Sequence, residues 1–249
     1  MRLPSASELV TVWESGLGLT PIERGLRLLA ALFPEASDEE LAHYTIGERD
    51  AWLLTLREQL FGAEVASVAS CPHCGEPLEL NFSVPTVRTS AGSSSGQHRE
   101  VMVHAEGYAI RCRLPTSADL LAVAGMAGAE SAQRALLARC ILAIEPDGTA
   151  EVSPSPDQLP AGVAAAIVEQ MAQADPQADV RLALVCPACS HQWLAQFDIL
   201  SFLWAELADW VQRTLREVHQ LAVAYGWREA DILAMSAWRR QWYLQLIGG

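Results

Sequence analysis

Four cysteines in two short turns are the residues of this sequence best suited to chemistry. The first turn runs from Cys71 to Cys74 and the second from Cys186 to Cys189, and both have the form C-P-x-C. Two such turns brought together supply four thiolates, which is the tetrahedral ligand set that Zn²⁺ takes in structural sites. The sequence therefore predicts one structural zinc ion held by these four cysteines.

Segments with strand-like residues follow both turns. Residues 78–84 follow the first turn and residues 191–197 follow the second, and 111 residues lie between the two turns. We therefore predict a zinc ribbon whose two halves are far apart in the sequence. His73 and His191 lie beside the turns and are alternative ligands. Four cysteines already complete a closed site, however, and such a site stabilises a fold and catalyses nothing.

The first turn also has an alternative interpretation in redox chemistry. The letters C-P-H-C from Cys71 to Cys74 match an oxidase-type thioredoxin-fold active site, whose first cysteine lies at a helix N-terminus that lowers its pKa. Gly75 and Pro77 follow immediately and disfavour a helix at this point. The second C-P-x-C turn has no role in that chemistry. A thiol oxidoreductase that uses Cys71 and Cys74 stays an alternative to the metal site.

Charge and composition restrict the class of protein. The 249 residues include 30 acidic and 17 basic side chains, which gives a formal net charge of −13. Phosphate contacts require a basic face, so this charge disfavours nucleic acid as a partner. A zinc-ribbon adaptor for nucleic acid or the transcription machinery is kept as the alternative function. We find no run of about 18 apolar residues and no signal peptide, so we expect a cytoplasmic protein without a membrane span.

No catalytic constellation is recognisable in the sequence. The common phosphate-binding, dinucleotide-binding, serine-hydrolase and metalloprotease motifs do not occur. The carboxylates are scattered over polar helix faces, and Cys112 and Cys140 lie in apolar periodic segments where burial is expected. We therefore expect neither enzyme activity nor a small-molecule substrate.

The patterns of helix and strand residues predict an α+β fold that is mainly helical, with a split four-Cys zinc ribbon and a small antiparallel β component. One of the helices is expected over residues 130–144, because Leu136, Leu137, Cys140 and Ile141 recur with helical spacing. The predicted division of the chain is an N-terminal helical segment (1–62), the ribbon (63–88 plus 180–198), an inserted α/β segment (89–179, with a flexible loop at 89–98) and a C-terminal helical segment (199–249).

The C-terminal segment is rich in tryptophan and arginine. A long helix is predicted over residues 199–225, followed by two short helices over 228–235 and 237–247. The apolar residues of the long helix cover more than one face, which is typical of a dense helical core. Aromatic residues and arginine also dominate the hot spots of protein interfaces, and both interpretations can hold. The candidate partner interface comprises Trp204, Trp210, Trp227, Trp238, Arg239, Arg240 and Trp242.

Taken in order, these features resemble a known family, the T4-type phage baseplate proteins of contractile tails and phage-tail-like injection systems. The resemblance covers most of the chain. It is carried by residues 3–9 with Trp13 and Glu14, by residues 30–34 and 47–50, by the two cysteine turns, by residues 114–120, and by residues 225–233.

The resemblance implies a non-enzymatic component of the baseplate or a factor for its assembly. Such a protein contacts other baseplate or tail subunits, and a second copy of itself is a further candidate partner. It is synthesised in the cytoplasm and then takes a place in the assembled particle. Members of the family can lack the cysteines, so the zinc prediction depends on this sequence alone.

Overall fold

A computed structural model describes residues 1–89, 100–146, 155–156 and 159–248. The predicted flexible loop at residues 89–98 therefore lies outside the described residues, except for Thr89. In chain order the helices and strands are α1 (Ala6–Ser15), α2 (Pro21–Leu32), α3 (Asp38–Ala42), α4 (Ile46–Phe61), β1 (Glu64–Ser70), β2 (Pro77–Ser83), α5 (Val84–Val87), β3 (Glu100–Ala105), β4 (Tyr108–Arg113), α6 (Ser117–Val123), α7 (Ala129–Cys140), β5 (Ile141–Pro146), α8 (Ala161–Ala174), β6 (Arg181–Val185), β7 (Gln192–Gln196), α9 (Ile199–Tyr225), α10 (Glu229–Leu233) and α11 (Ala237–Gly248).

These elements confirm the predicted α+β class, because helices predominate and every sheet of the described chain is small and antiparallel. The internal contacts divide the chain into two units. The first unit is Met1–Ser37 with Ile199–Gly249, and the second is Asp38–Asp198. The finer division into four segments stays a prediction. Among the described residues, none of the helices has the length and apolar character needed to cross a bilayer.

The first unit is a set of helices arranged around α9. Helices α1, α2, α10 and α11 all contact α9. Trp204 of α9 lies against Gly16, where an added Cβ atom would come within 2.1 Å of the indole ring. The guanidinium of Arg24 lies 4.9 Å from the centroid of the same ring. The buried residues of α9 recur with helical spacing, as expected for a helix that packs on several others. They include Leu203, Trp204, Leu207, Val211, Thr214, Val218 and Leu221.

The second unit contains a three-stranded sheet that is covered on one face by helix α8. The strand order is β3-β4-β5, and Val103, Ile110, Val163 and Ile167 are buried between the sheet and α8. The helix predicted over residues 130–144 is wrong in its last four residues. Helix α7 ends at Cys140, and residues 141–146 form β5 instead. Pairing of β5 with β4 overrides the helical periodicity of these residues, because it satisfies their backbone groups within the sheet.

A buried contact fixes the start of helix α4. The side chain of Thr45 caps the helix, and the Gly47 N–H donates to Asp175 Oδ2 at 2.9 Å. An added Cβ atom at Gly47 would lie 1.7 Å from the Asp175 carboxylate. Only glycine therefore allows this carboxylate to reach the helix start. The contact connects α4 to the segment that leads into β6.

Two β-hairpins of the second unit complete the fold. Strand β1 pairs with β2 and β6 pairs with β7, both antiparallel. Strand β1 was not predicted, because its Ala- and Ser-rich sequence has little strand propensity of its own. Its seven residues are all paired with β2, from Glu64 opposite Ser83 to Ser70 opposite Pro77. The tip of each hairpin carries one of the C-P-x-C turns.

Candidate metal centre

Each C-P-x-C turn is the tip of a hairpin and has the same backbone structure. In the first turn the Cys71 N–H donates to the Glu76 carbonyl and the Gly75 N–H donates to the Cys71 carbonyl, both at 2.9 Å. The second turn repeats both hydrogen bonds at positions 115 residues later, from Cys186 to His191 and from Ser190 to Cys186, again at 2.9 Å. The two turns are therefore structural equivalents.

The residue after the second cysteine has a left-handed backbone in both turns. The φ angle is +78° at Gly75 and +59° at Ser190. Glycine adopts this conformation freely, whereas serine does so at a cost. This conformation directs backbone N–H groups at the sulfur atoms: the Glu76 N–H bonds Cys74 Sγ, and the His191 N–H bonds Cys189 Sγ.

The hairpins bring the four thiols together at one point. Cys71 Sγ lies 3.7 Å from Cys189 Sγ, and Cys74 Sγ lies 3.6 Å from Cys186 Sγ. All four sulfur atoms lie within 4.8 Å of one another. The first cysteine of each turn thus lies within 3.7 Å of the second cysteine of the other turn. Cys71 and Cys186 are buried, whereas Cys74 is exposed and Cys189 half-buried.

This arrangement fits a tetrahedral metal ion. With a Zn–S distance of about 2.3 Å, the edge of a ZnS₄ tetrahedron is about 3.8 Å, close to the two short sulfur–sulfur distances of this cluster. Four sulfur donors in such a geometry suit zinc or iron rather than magnesium or calcium, which prefer oxygen. The four cysteines can therefore hold one metal ion.

The hydrogen bonds at the turns also favour thiolate at one position. Burial raises the pKa of the Cys71 thiol, but hydrogen bonds from the N–H groups of Cys74 and His73, together with those to the Cys74 and Cys186 thiols, lower it to about 7. The amide of His191 lowers the pKa of Cys189, whereas burial and the neighbouring thiols raise it to about 12. Thiols packed this closely oppose each other's ionisation, and a cation at their centre would favour the thiolate at all four.

Apolar side chains support the cysteine cluster from the strands. Cys71, Cys186 and Leu78 are buried together, and Leu80 and Trp193 pack against them. The side chains of Leu78, Leu80 and Trp193 come from β2 and β7, the strands that follow the two turns. The cluster of sulfur atoms is therefore continuous with a small hydrophobic core between the hairpins.

The two histidines next to the turns have ring contacts with each other. The His73 and His191 rings are stacked with centroids 5.5 Å apart, and the His191 ring lies 6.0 Å from that of Trp193. Within the described part of the chain, the ligand atoms that converge are the four sulfur atoms, and neither histidine belongs to that group. The stacked rings were not predicted from the sequence, because they depend on the juxtaposition of residues 118 positions apart.

The position of Cys71 bears on the redox interpretation. Its turn connects strand β1 to strand β2, so the thiol does not lie at the N-terminus of a helix. The low pKa of Cys71 comes from local amide groups, which also suit a metal ligand.

The charge of the second unit bears on the nucleic-acid interpretation. This unit, which contains the hairpins, has 21 acidic and 9 basic residues. Such a balance disfavours phosphate binding.

The residues of the candidate partner interface lie in two kinds of environment. Trp204 is 8% exposed, Arg240 is 3% exposed, and Trp210 is half-buried. Trp227 is half-buried and stacks on Tyr225. Trp204 and Arg240 are therefore part of the interior of the first unit, and Trp227 packs against its core. The surface of helix α11 presents the other three, Trp238, Arg239 and Trp242.

Comparison with known proteins gives one family. The family described as T4 bacteriophage base plate protein matches residues 26–204, which is more than half of the chain. The chain therefore belongs to the T4 bacteriophage base plate protein family, as the sequence resemblance predicts. Neither the curated proteins nor the solved structures contain a match to this chain.

Proposed function

We propose that this protein is a structural component of the baseplate of a contractile phage-like tail or injection system, or a factor for the assembly of that baseplate. The observation that carries the proposal is the family match over residues 26–204, which includes both cysteine turns and the first residues of α9. The protein would act through contacts with other baseplate or tail subunits and would not catalyse a reaction.

The metal centre has a structural role in this proposal. The cysteines belong to hairpins that are far apart in the chain, and one Zn²⁺ would join them through four bonds. A closed four-thiolate site leaves no position for a substrate, and the free energy of binding the ion adds to the free energy of folding. Zinc would thus fix the hairpins to each other, which suits a protein with a structural role.

Deletion of the gene tests the functional proposal. A deletion strain should produce few or no complete tails by negative-stain electron microscopy, and expression of the wild-type chain from a plasmid should restore them. Intact, contractile tails in the deletion strain would overturn the proposal.

Sedimentation of a native lysate separates the two forms of the proposal. If the chain is a permanent component, it travels with tail particles through a density gradient. If it is an assembly factor, it is absent from complete tails but sediments with baseplate precursors. A chain that sediments with neither in a tail-producing strain would contradict both forms.

A further inference from the structure

Helix α11 exposes an apolar stripe along one face. Trp238, Trp242 and Leu246 recur every four residues and are 73%, 52% and 60% exposed. Residues at this spacing lie on the same side of a helix. The two indole rings are stacked with centroids 5.7 Å apart. These three residues are called the α11 face below.

Contacts on other sides of α11 hold the helix in place. Tyr243 and Leu244 pack against the core formed by α9 and α10. The guanidinium of Arg240 donates to Glu217 Oε2 at 3.0 Å and to the Met235 carbonyl at 2.8 Å. Helix α11 therefore presents the α11 face from a fixed position, and partner binding would not have to order it first. Preorganised aromatic side chains of this kind are typical of interface hot spots.

Charge around the α11 face differs from charge in the rest of the protein. Residues 232–249 contain two arginines and no acidic residue, in a chain with a net charge of −13. Arg240 is committed to Glu217, whereas Arg239 is exposed, with its guanidinium 5.7 Å from the Tyr243 ring. The apolar stripe is therefore bordered by positive charge and by no negative charge from its own helix.

We propose that the α11 face binds an apolar groove with an acidic rim on a different protein subunit of the tail, an inference that rests on the proposed function. The apolar groove would receive the two tryptophans and Leu246, and carboxylates on its rim would pair with Arg239. The charge of α11 is positive, whereas the chain as a whole is negative. An acidic partner site would therefore be attracted to α11 and repelled by the rest of the protein.

Two other occupants are disfavoured by the same observations. A second copy that used the same face would offer no carboxylate from this helix to Arg239, because residues 232–249 contain no acidic residue. Two copies would also bring together net charges of −13. A lipid surface that binds amphipathic helices attracts several cations, and this helix has one exposed arginine.

Binding to tail precursors tests the inference. Precursors are purified from the deletion strain, and the affinity of the purified chain for them is measured for wild type and for the double variant Trp238→Ala/Trp242→Ala. The affinity should fall at least about tenfold, because buried tryptophans dominate interfaces. Arg239→Glu should weaken binding and reverse the dependence on salt. Val223→Ala, an exposed change on α9, should bind like wild type.

The outcomes separate the inference from the proposed function. If the wild-type chain binds the precursors and the double variant binds equally well, the inference is wrong and the proposed function stands. If the wild-type chain does not bind and does not restore tails in the deletion strain, the proposed function itself fails. Concentration-dependent dimerisation that the double variant loses would assign the α11 face to a second copy and overturn the inference. Flotation with phosphatidylserine vesicles that the double variant loses would overturn it as well. Circular dichroism of each variant confirms that it is folded.

Discussion

The phenyl rings of Phe82 and Phe197 meet edge to face across the two hairpins, with centroids 5.1 Å apart and planes at 86°. Each ring lies eleven residues after the first cysteine of its turn, so the two occupy equivalent positions. The equivalence of the hairpins therefore extends from the sulfur cluster along the strands. It gives matched pairs of substitutions by which the two halves can be compared.

A double-mutant cycle on this pair measures the contact between hairpins. We expect Phe82→Ala and Phe197→Ala each to lower the free energy of unfolding by about 1–3 kcal/mol, because both rings are half-buried. The coupling energy between them should be about 0.5–1.5 kcal/mol, as for other aromatic pairs. Urea denaturation of the zinc-saturated protein gives both quantities, and Phe82→Leu is the control that retains apolar bulk without the ring. Strictly additive effects would mean that the hairpins do not support each other through these rings.

Gly75 and Ser190 each follow the second cysteine of a turn, so each can be replaced by the residue found at the other position. Gly75→Ser places a side chain at φ +78° and should lower stability by about 1 kcal/mol, whereas Ser190→Gly relieves a residue at φ +59° and should raise it by up to about 1 kcal/mol. Thermal unfolding of both variants would show opposite shifts in Tm. Shifts of the same sign would contradict the equivalence of the two turns.

The close approach of Gly47 and Asp175 predicts a severe effect of a single methyl group. Gly47→Ala would force the carboxylate away from the start of α4 and leave a buried N–H without its acceptor. We expect a loss of about 2–4 kcal/mol in the free energy of unfolding. Gly125→Ala is the matched control, because an added Cβ there meets nothing within 4 Å. Equal stability of the two variants in denaturant titrations would exclude the contact.

Asp50 predicts a pH dependence of stability. Burial raises the pKa of its carboxyl to about 6 despite the hydrogen bond from Arg49, and the nearby Asp198 and Asp175 act in the same direction as burial. The folded state therefore binds this proton more tightly than the unfolded chain, whose pKa is about 3.9. The contribution of Asp50 is fully present below pH 4 and is lost as pH rises through about 6, a change of about 3 kcal/mol.

Comparison of wild type with Asp50→Asn isolates this contribution, because the other titrating groups are common to both. As pH rises from 4 to 7, the free energy of unfolding of wild type should fall relative to that of Asp50→Asn. A difference that is constant over this range would show that Asp50 titrates normally.

The sequence predicted the parts of the fold that depend on local chemistry. Helix α9 has the predicted bounds, Ile199–Tyr225. The four cysteines lie within 4.8 Å of one another, as the two matching turns predict. Predictions failed where pairing across the chain decides the structure. Residues 141–144 were predicted as the end of a helix, and they belong to strand β5 instead because they pair with β4.

The candidate interface shows a second limit of sequence reasoning. Trp204 and Trp238 are equally apolar and both lie on helices, so composition cannot distinguish them. The environment of each decides the difference: Trp204 lies against Gly16 and Arg24, whereas the nearest ring contact of Trp238 is Trp242 on its own helix. A helix with two apolar sides does not reveal in its sequence which side faces the core.

Native mass spectrometry of the purified chain tests the central claim, that both hairpins close on one zinc ion. We expect a folded protein that carries one Zn²⁺ per chain, with the ion lost in Cys186→Ser and retained in Cys140→Ala, which removes a buried thiol outside the cluster. Loss of the ion should destabilise the second unit strongly, because metal binding is coupled to folding. A folded wild-type chain without metal, or with iron in place of zinc, would contradict the account.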